Sequence, residues 1–214
     1  MQPGAVILAL GVTGSGKSVI LSELVKSYSR LFGRNFSRLY LVSNNKRDDE
    51  HLFEAPTRVS APELFARLEG ERDALVIFDD ALVNLLSKEN KEEFIKLVTV
   101  TARHERVTTV FALQALPPDN FATRCILENA GYIICTFRNS AFSRALARSV
   151  QRNFFPGIEK NFVPRLIRYL KAKDRTYFVI DVAKDDSVLI DLFENLQPSL
   201  VEWHDLSPTA KGRR

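Results

Sequence analysis

Residues 5–21 read AVILALGVTGSGKSVIL, and this stretch constrains the fold of the chain more than any other. An apolar strand runs into a glycine-rich turn that opens into a helix, and residues 11–18 match GxxxxGK[ST] at every fixed position. Glycines at 11, 14 and 16 let the backbone N–H groups point inward, where side chains would clash with phosphates. The stretch therefore predicts a phosphate-binding loop between a strand and a helix.

The motif assigns a role to each part of the loop. Lys17 is expected to reach the β- and γ-phosphates, and the Ser18 hydroxyl to ligate Mg²⁺. The helix that begins near Lys17 adds the partial positive charge of its N-terminus. A glycine turn can also occur by chance at such a junction, but the flanking strand and helix are both present. The predicted nucleotide-binding residues are Gly11, Val12, Thr13, Gly14, Ser15, Gly16, Lys17, Ser18 and Val19.

Residues 74–80, ALVIFDD, are the second informative stretch. An apolar run followed by two carboxylates predicts a buried strand whose carboxyl end emerges where α/β proteins bind ligands. This is the Walker B pattern, in which Asp79 holds Mg²⁺ through its water shell and Asp80 polarises the attacking water. Two aspartates after a strand can instead cap the next helix. The P-loop in the same chain favours the metal-binding interpretation and points to nucleotide hydrolysis.

Residues 107–114, VTTVFALQ, predict another buried strand, which ends in Gln114. An amide at the sheet edge that carries the P-loop can hydrogen-bond the γ-phosphate or the attacking water. The alternative is an exposed loop residue. The amphipathic segment 90–103 comes before this strand and delivers Arg103, His104 and Arg106 to a turn. His104 fits equally a phosphate or subunit contact and a favourable partner of the helix dipole.

The rest of the chain alternates strand and helix patterns, which predicts a mainly parallel sheet covered on both faces. Helices are expected at 19–31, 62–68, 120–128 and 142–155, strands at 38–43 and 131–137, and a hairpin at 177–181 and 188–190. Gly33 is expected to end the first helix. The length fits one ATPase domain over residues 1–193, followed by a mobile basic tail over 194–214.

Composition adds weaker constraints. The 30 Lys and Arg against 26 Asp and Glu give a net charge of +4, which favours a polyanionic partner without demanding one. Cys125 and Cys135 are the two cysteines, and an apolar run around Cys135 favours buried free thiols in a reducing compartment. The apolar runs are too short for a membrane span or a signal peptide, so we expect a soluble protein that is not exported.

The second half of the chain contains a concentration of basic residues. In the helix predicted at 142–155, Arg144, Arg148 and Arg152 recur every four residues and so share one face. A further basic run follows over residues 160–175. Such a face can bind DNA phosphates with release of counterions, or it can be a solvated or subunit-facing surface.

Three stretches, GVTGSGKS, ALVIFDD and TARHERVTTVFALQ, in this order and at these separations, resemble the genome-packaging ATPases of the FtsK/HerA superfamily. The likeness is strongest to the poxvirus-type packaging ATPases of double-stranded DNA viruses, and it spans residues 5–139. The resemblance implies an α/β three-layer sandwich, the P-loop NTPase fold of the ASCE or RecA-like type. Its mainly parallel sheet would have the order 5-1-4-3-2, counting predicted strands along the chain, with a C-terminal β-hairpin. Asp80 stands where FtsK and HerA commonly have Glu.

The resemblance also implies a function. The implied protein is an ATPase that uses ATP and Mg²⁺ as cofactors. It self-associates into a ring such as a hexamer and pumps double-stranded DNA into a capsid. A capsid or vertex protein would be a further partner, and the host cytoplasm, nucleus or virion the location. In such a ring Arg103, or less favourably Arg106, would complete a neighbour's site, while Lys17, Asp80 and Gln114 act in their own.

Two other functions fit the same motifs. A nucleotide-dependent virion assembly or morphogenesis protein would bind ATP without moving DNA. A small P-loop kinase is disfavoured, because no arginine-rich lid is evident and Asp80 suits activation of water.

Overall fold

Parallel apolar strands form the centre of the molecule. The computed structural model describes residues 1–43, 53, 56–79, 91–116, 120–137, 144–182, 187–190 and 199–200. Strands β1, β2, β4, β5 and β6 are almost entirely buried. The strands are β1 (Val6–Leu10), β2 (Leu39–Ser43), β3 (Thr57–Arg58), β4 (Leu75–Asp79), β5 (Thr108–Leu113), β6 (Ala130–Thr136), β7 (Tyr177–Asp181), β8 (Ser187–Ile190) and β9 (Ser199–Leu200).

The sheet order is β3-β2-β4-β5-β1-β6-β7-β8-β9. Strand β5, which precedes Gln114, lies between β1, which precedes the glycine-rich loop, and β4, which ends at Asp79, and both pairings are parallel. The predicted order of five strands lies within this sheet, but the full order differs from it, because β3 is added at one edge and β7, β8 and β9 at the other. The mainly parallel α/β sheet of a P-loop NTPase is thus confirmed, and the predicted order was incomplete.

Helices cover both faces of the sheet because side chains alternate along the strands. In β1, Val6, Leu8 and Leu10 pack on one core cluster, whereas Ile7 and Ala9 pack on the other. The buried apolar residues of helices α1 and α2 belong to the second cluster and not to the first. The helices are α1 (Lys17–Lys26), α2 (Tyr28–Phe32), α3 (Ala61–Leu68), α4 (Lys91–Lys96), α5 (Ala102–His104), α6 (Phe121–Asn129), α7 (Arg144–Phe154) and α8 (Phe162–Lys171).

Two predicted helices differ in detail from the structure. The helix expected at 19–31 is divided at Ser27 into α1 and α2, and Gly33 ends α2 with φ of 70°. Tyr28 begins the second part, where its ring stacks on Phe32 and its hydroxyl lies 2.7 Å from the Thr108 hydroxyl. The helix expected at 90–103 contains a π-helical turn, Leu97–Thr101, between α4 and α5.

The sequence patterns also missed two elements. Strand β3 has only two residues, too few for any periodicity. Helix α8 was interpreted only as a basic run. Its apolar residues nevertheless recur at helical spacing and are all buried: Phe162, Val163, Leu166, Ile167 and Leu170.

The C-terminal strands extend the main sheet in antiparallel fashion. Strand β7 pairs with β6 on one side and β8 on the other, and β8 also pairs with β9. The element expected to be a simple hairpin is therefore part of a longer antiparallel edge, and its turn at 184–186 lies outside the described residues. Strand β9 falls within the segment expected to be a tail, so the domain boundary at 193 stays a prediction.

Candidate functional site

The glycine-rich loop connects β1 to α1 at the carboxyl edge of the sheet, which we define by the strand ends Leu10, Asp79, Leu113 and Thr136. Gly16 caps α1 with φ of 94°, a left-handed conformation that favours glycine. Gly11 is required for a different reason, because a Cβ there would lie 2.2 Å from both Ser15 Oγ and Thr136 Oγ1. The loop thus needs glycine at 16 for its turn and at 11 for its packing.

A buried pair of hydroxyl groups holds the loop against β6. Ser15 Oγ lies 2.7 Å from Thr136 Oγ1, and Thr136 Oγ1 lies 3.2 Å from the carbonyl oxygen of Leu10. Thr136 has one hydroxyl proton, which the Leu10 carbonyl can only accept, so Ser15 donates to Thr136. Thr136 therefore links β1, the P-loop and β6. Sequence patterns could not identify it, because 121 residues separate it from Ser15.

Lys17 lies inside the loop, with only 7% of its surface exposed. Its Nζ donates to the carbonyl oxygen of Gly11 at 2.7 Å and lies 3.4 Å from that of Val12. The first turn of α1 has no acidic residue, and no side chain caps it. Its N-terminal N–H groups and the Lys17 ammonium together form the kind of positive site that binds phosphate.

Two predicted residues from other strands lie at the same edge. Asp79, at the end of β4, is 8% exposed and is in register with Ala112 of β5. Gln114 follows β5 directly, and Thr13 Oγ1 of the P-loop donates to its Oε1 at 2.9 Å. Gln114 is exposed, as the alternative interpretation expected, but it also contacts the loop whose state it would sense.

The remaining P-loop residues are more accessible. Ser18 is half-buried, and Val19 is 42% exposed on the outer side of α1. Asp80, the predicted catalytic base, lies outside the described residues. Its role stays a prediction from its position after Asp79.

Ser18 and Asp79 fit a magnesium ion by chemistry. They place one hydroxyl and one carboxylate at the same sheet edge, and Mg²⁺ prefers oxygen ligands, keeping several waters and often binding substrate phosphates. In the part of the chain that the structure describes, no group of three or more His, Cys, Asp or Glu side chains could hold a metal. An ion here would therefore depend on phosphate oxygens from a bound nucleotide.

Arg103 lies at the opposite, amino edge of the sheet. It is exposed in α5, before β5 begins, and lines a cleft of about 390 Å³ together with the start of β1 and Gly131 of β6. Arg106 is held nearby by Asp73 Oδ2 at 3.1 Å. Neither arginine is brought together with Lys17, Asp79 and Gln114 within one chain.

Two other expectations can be compared with the structure. Cys125 and Cys135 are both buried free thiols, as predicted, and burial raises the pKa of the Cys135 thiol. No helix among the described residues has the length and apolar character that crossing a membrane requires. His104 is exposed at the end of α5, and its role stays open.

This fold also occurs in B204, a viral genome packaging NTPase. Its complex with AMP, from Sulfolobus turreted icosahedral virus 2, matches with a TM-score of 0.55 and 12% identity over 89% of this chain and 98% of that chain. The complex of the same protein with ATP-γS matches with a TM-score of 0.54 and 13% identity over 94% of this chain and 98% of that chain. B204 from Sulfolobus turreted icosahedral virus, described as a DNA-packaging ATPase, matches with a TM-score of 0.54 and 11% identity over 94% of this chain and 98% of that chain. The chains share a fold.

This likeness is one of structure. No protein-family profile matches the sequence, and no curated protein matches it. The resemblance inferred from three short motifs is thus confirmed for the fold over nearly the whole chain, well beyond residues 5–139.

Proposed function

We propose that this protein is an ATP-hydrolysing motor that moves double-stranded DNA and packages a viral genome into a capsid. The observation that carries the proposal is the buried Lys17 ammonium inside a P-loop that Gln114 contacts from the end of the neighbouring strand β5. The shared fold with B204, which is described as a genome packaging NTPase, supports the same function.

Each residue of the site has a separate task in this proposal. The backbone N–H groups of residues 11–18 and the Lys17 ammonium bind the phosphates and stabilise the charge that develops on transfer. Ser18 and Asp79 would hold Mg²⁺, which neutralises charge between the β- and γ-phosphates when bound. Asp80 orients the attacking water and accepts its proton, and Gln114 responds to the γ-phosphate.

The proposed motor is an oligomer. Arg103 lies at the edge of the sheet opposite its own P-loop, so we propose that it acts in a neighbouring subunit of a ring. Double-stranded DNA, further copies of this chain and a capsid or vertex protein are the proposed partners, in the infected cell or the virion. A charge of +4 is consistent with a DNA partner.

One experiment tests the central claim. The ATP hydrolysis rate of the full chain is measured with and without long duplex DNA, alongside the mass of the assembly with ATP bound. We expect Mg²⁺-dependent hydrolysis that duplex DNA accelerates, in an oligomer, with Lys17→Ala as the inactive control. Hydrolysis that DNA leaves unchanged would contradict the motor and favour an assembly protein. Transfer of phosphate to a small acceptor would identify a kinase.

A further inference from the structure

A second surface, far from the P-loop in sequence, has the features of a ligand site. Helix α7 and the turn that leads into α8 enclose a groove of about 710 Å³. Four basic side chains line it, Arg144, Arg148, Arg152 and Lys160, and Ala147 and Phe155 lie among them. We call this surface the basic groove. All four basic residues are exposed, whereas Ala147 and Phe155 are buried.

The cations of the basic groove differ from several basic side chains elsewhere in the described chain, which are paired with carboxylates. Among the described residues none of the four takes part in an ion pair, whereas Lys26, Arg67 and Arg72 each pair with a carboxylate. The nearest acidic residue in sequence, Glu159, is already paired with Arg165. Residues 144–175 contain nine Lys and Arg and two Asp and Glu, a formal charge of +7 in a chain whose total is +4.

The groove is also fixed in shape before any ligand binds. Gln151, which is 9% exposed, lies at its base. Its Nε2 donates to the carbonyl oxygen of Phe155 at 3.0 Å, and its Oε1 accepts from Val163 N at 3.0 Å. The rings of Phe155 and Phe162 pack edge to face at 5.2 Å. These contacts connect α7 to α8, so the turn that carries Lys160 keeps its place beside the arginines.

The spacing of the arginines fits a repeating anion. Residues four apart on one helix face are separated by about 6 Å along the axis, so Arg144, Arg148 and Arg152 span roughly 12 Å. One strand of duplex DNA carries a phosphate about every 3.4 Å of axis, and so offers three or four over that length. A single small anion would not contact both ends of this row. An extended phosphate backbone can contact all of them.

We propose that the basic groove binds the sugar–phosphate backbone of double-stranded DNA. This proposal rests on the proposed motor function and gives its substrate a contact surface. The groove recognises phosphates and no base edges, so binding is independent of sequence.

The test uses the full chain and a fluorescently labelled duplex of defined length. Arg144, Arg148 and Arg152 are replaced together by Ala, and the affinity is measured across a range of salt concentrations. The control replaces Lys26, Arg67 and Arg72 together by Ala, which removes the same charge from other exposed sites. A third variant replaces the three groove arginines by Lys. The ATP hydrolysis rate without DNA is followed throughout, and shows that each variant is folded.

We expect the groove variant to lower the slope of log affinity against log salt by about 3, because each lost phosphate contact removes roughly 0.9. The control should keep the wild-type slope, and the Lys variant most of it. An unchanged slope in the groove variant, or an equal fall in the control, would overturn the proposal while leaving the motor intact.

Other outcomes separate the two proposals. If the groove variant loses duplex binding but DNA never stimulates wild-type hydrolysis, the groove is confirmed and the motor function is wrong. If the wild type binds no duplex but binds polyglutamate through the same arginines, the groove is a protein-docking surface and the DNA proposal is overturned.

Discussion

The two edges of the parallel sheet carry polar residues that are organised in different ways. At the carboxyl edge several of them are buried and hydrogen-bonded, as Lys17 is to the Gly11 carbonyl and Ser15 to Thr136. At the amino edge, partly exposed ion pairs join loops, as in the contacts of Arg34 and Arg106 with Asp73. The buried edge is suited to chemistry, because electrostatic interactions there are weakly screened.

The length of the strands separates these edges. Strand β5 has six residues, which extend about 20 Å, between Arg103 on the amino side and Gln114 on the carboxyl side. No side chain bridges that distance. If Arg103 takes part in hydrolysis, it must do so on another subunit, and the comparison therefore predicts which residues act within a chain and which act between chains.

The largest effect is expected at the carboxyl edge. Lys17→Ala should reduce ATP hydrolysis to the background rate, because it removes the buried positive charge that the proposed reaction uses. Phosphate release is the measurement, and Lys26→Ala, which removes an exposed lysine of the same helix, is the control. Hydrolysis at more than a few per cent of the wild-type rate would contradict the assignment.

Arg103→Ala tests the amino edge. An arginine acting in trans contributes roughly 10³- to 10⁵-fold to turnover, so we expect a loss of that order with ATP affinity nearly unchanged. Mixing inactive Arg103→Ala with inactive Lys17→Ala subunits should restore part of the activity, since some interfaces then join an intact loop to an intact arginine.

Arg106→Ala is the matched comparison, because Arg106 is already paired with Asp73. If mixtures that demonstrably co-assemble recover no activity, Arg103 does not act across an interface. A monomer with full DNA-stimulated activity would exclude the trans mechanism altogether.

The carboxyl edge could be predicted from sequence to a large extent, because its residues follow local motifs. Strand, glycine turn and helix are contiguous, and the ends of parallel strands meet at one edge, which places Asp79 and Gln114 near the loop. The basis of the Gly11 requirement was not predictable, since Thr136 approaches it from β6, a neighbouring strand that is remote in sequence.

Elements defined by tertiary contacts were harder to predict. The break between α1 and α2 at Ser27 accompanies a contact of Tyr28 with Thr108, 80 residues away. The pairing partners of the Arg34, Asp73 and Arg106 side chains likewise depend on the folded loops. The groove between α7 and α8 could not be predicted, because the sequence of α8 was interpreted as a basic run and its helical spacing was missed.

A smaller loss is expected for Asp80, the proposed catalytic base. Asp80→Asn should bind ATP as the wild type does and lose about 10²- to 10⁴-fold in turnover, the range for removal of a general base. Nucleotide affinity and single-turnover rate are measured separately, so that binding and chemistry are distinguished. A variant that hydrolyses ATP at the wild-type rate would show that another residue is the base.

Loss of the buried hydroxyl contact between Ser15 and Thr136 should have an intermediate effect, on folding stability. Thr136→Val leaves the buried Ser15 hydroxyl without its acceptor and the Leu10 carbonyl without that donor, which costs about 1–3 kcal/mol of folding free energy. The measurement is the urea midpoint, together with ATP affinity. Thr136→Ser keeps the hydroxyl and should recover most of the loss. A Thr136→Val variant as stable as the wild type, or a Thr136→Ser variant as unstable as Thr136→Val, would contradict a stabilising role of the hydroxyl.

The smallest effect is expected for the ion pairs of the amino edge, and this prediction bears most directly on the difference between the edges. Asp73 contacts Arg34 at 2.5 Å and Arg106 at 3.1 Å, but its side chain is 25% exposed and the arginines 35% and 43%. Such accessible pairs contribute roughly 0–1 kcal/mol each and are screened by salt. Asp73 has φ of 56°, a conformation that Asn tolerates well, so Asp73→Asn removes the charge without straining the backbone. We expect a loss of about 1 kcal/mol or less in urea unfolding, reduced further in high salt, and unchanged ATP hydrolysis in the absence of DNA. A larger loss that salt does not affect would show that this edge is held as rigidly as the P-loop.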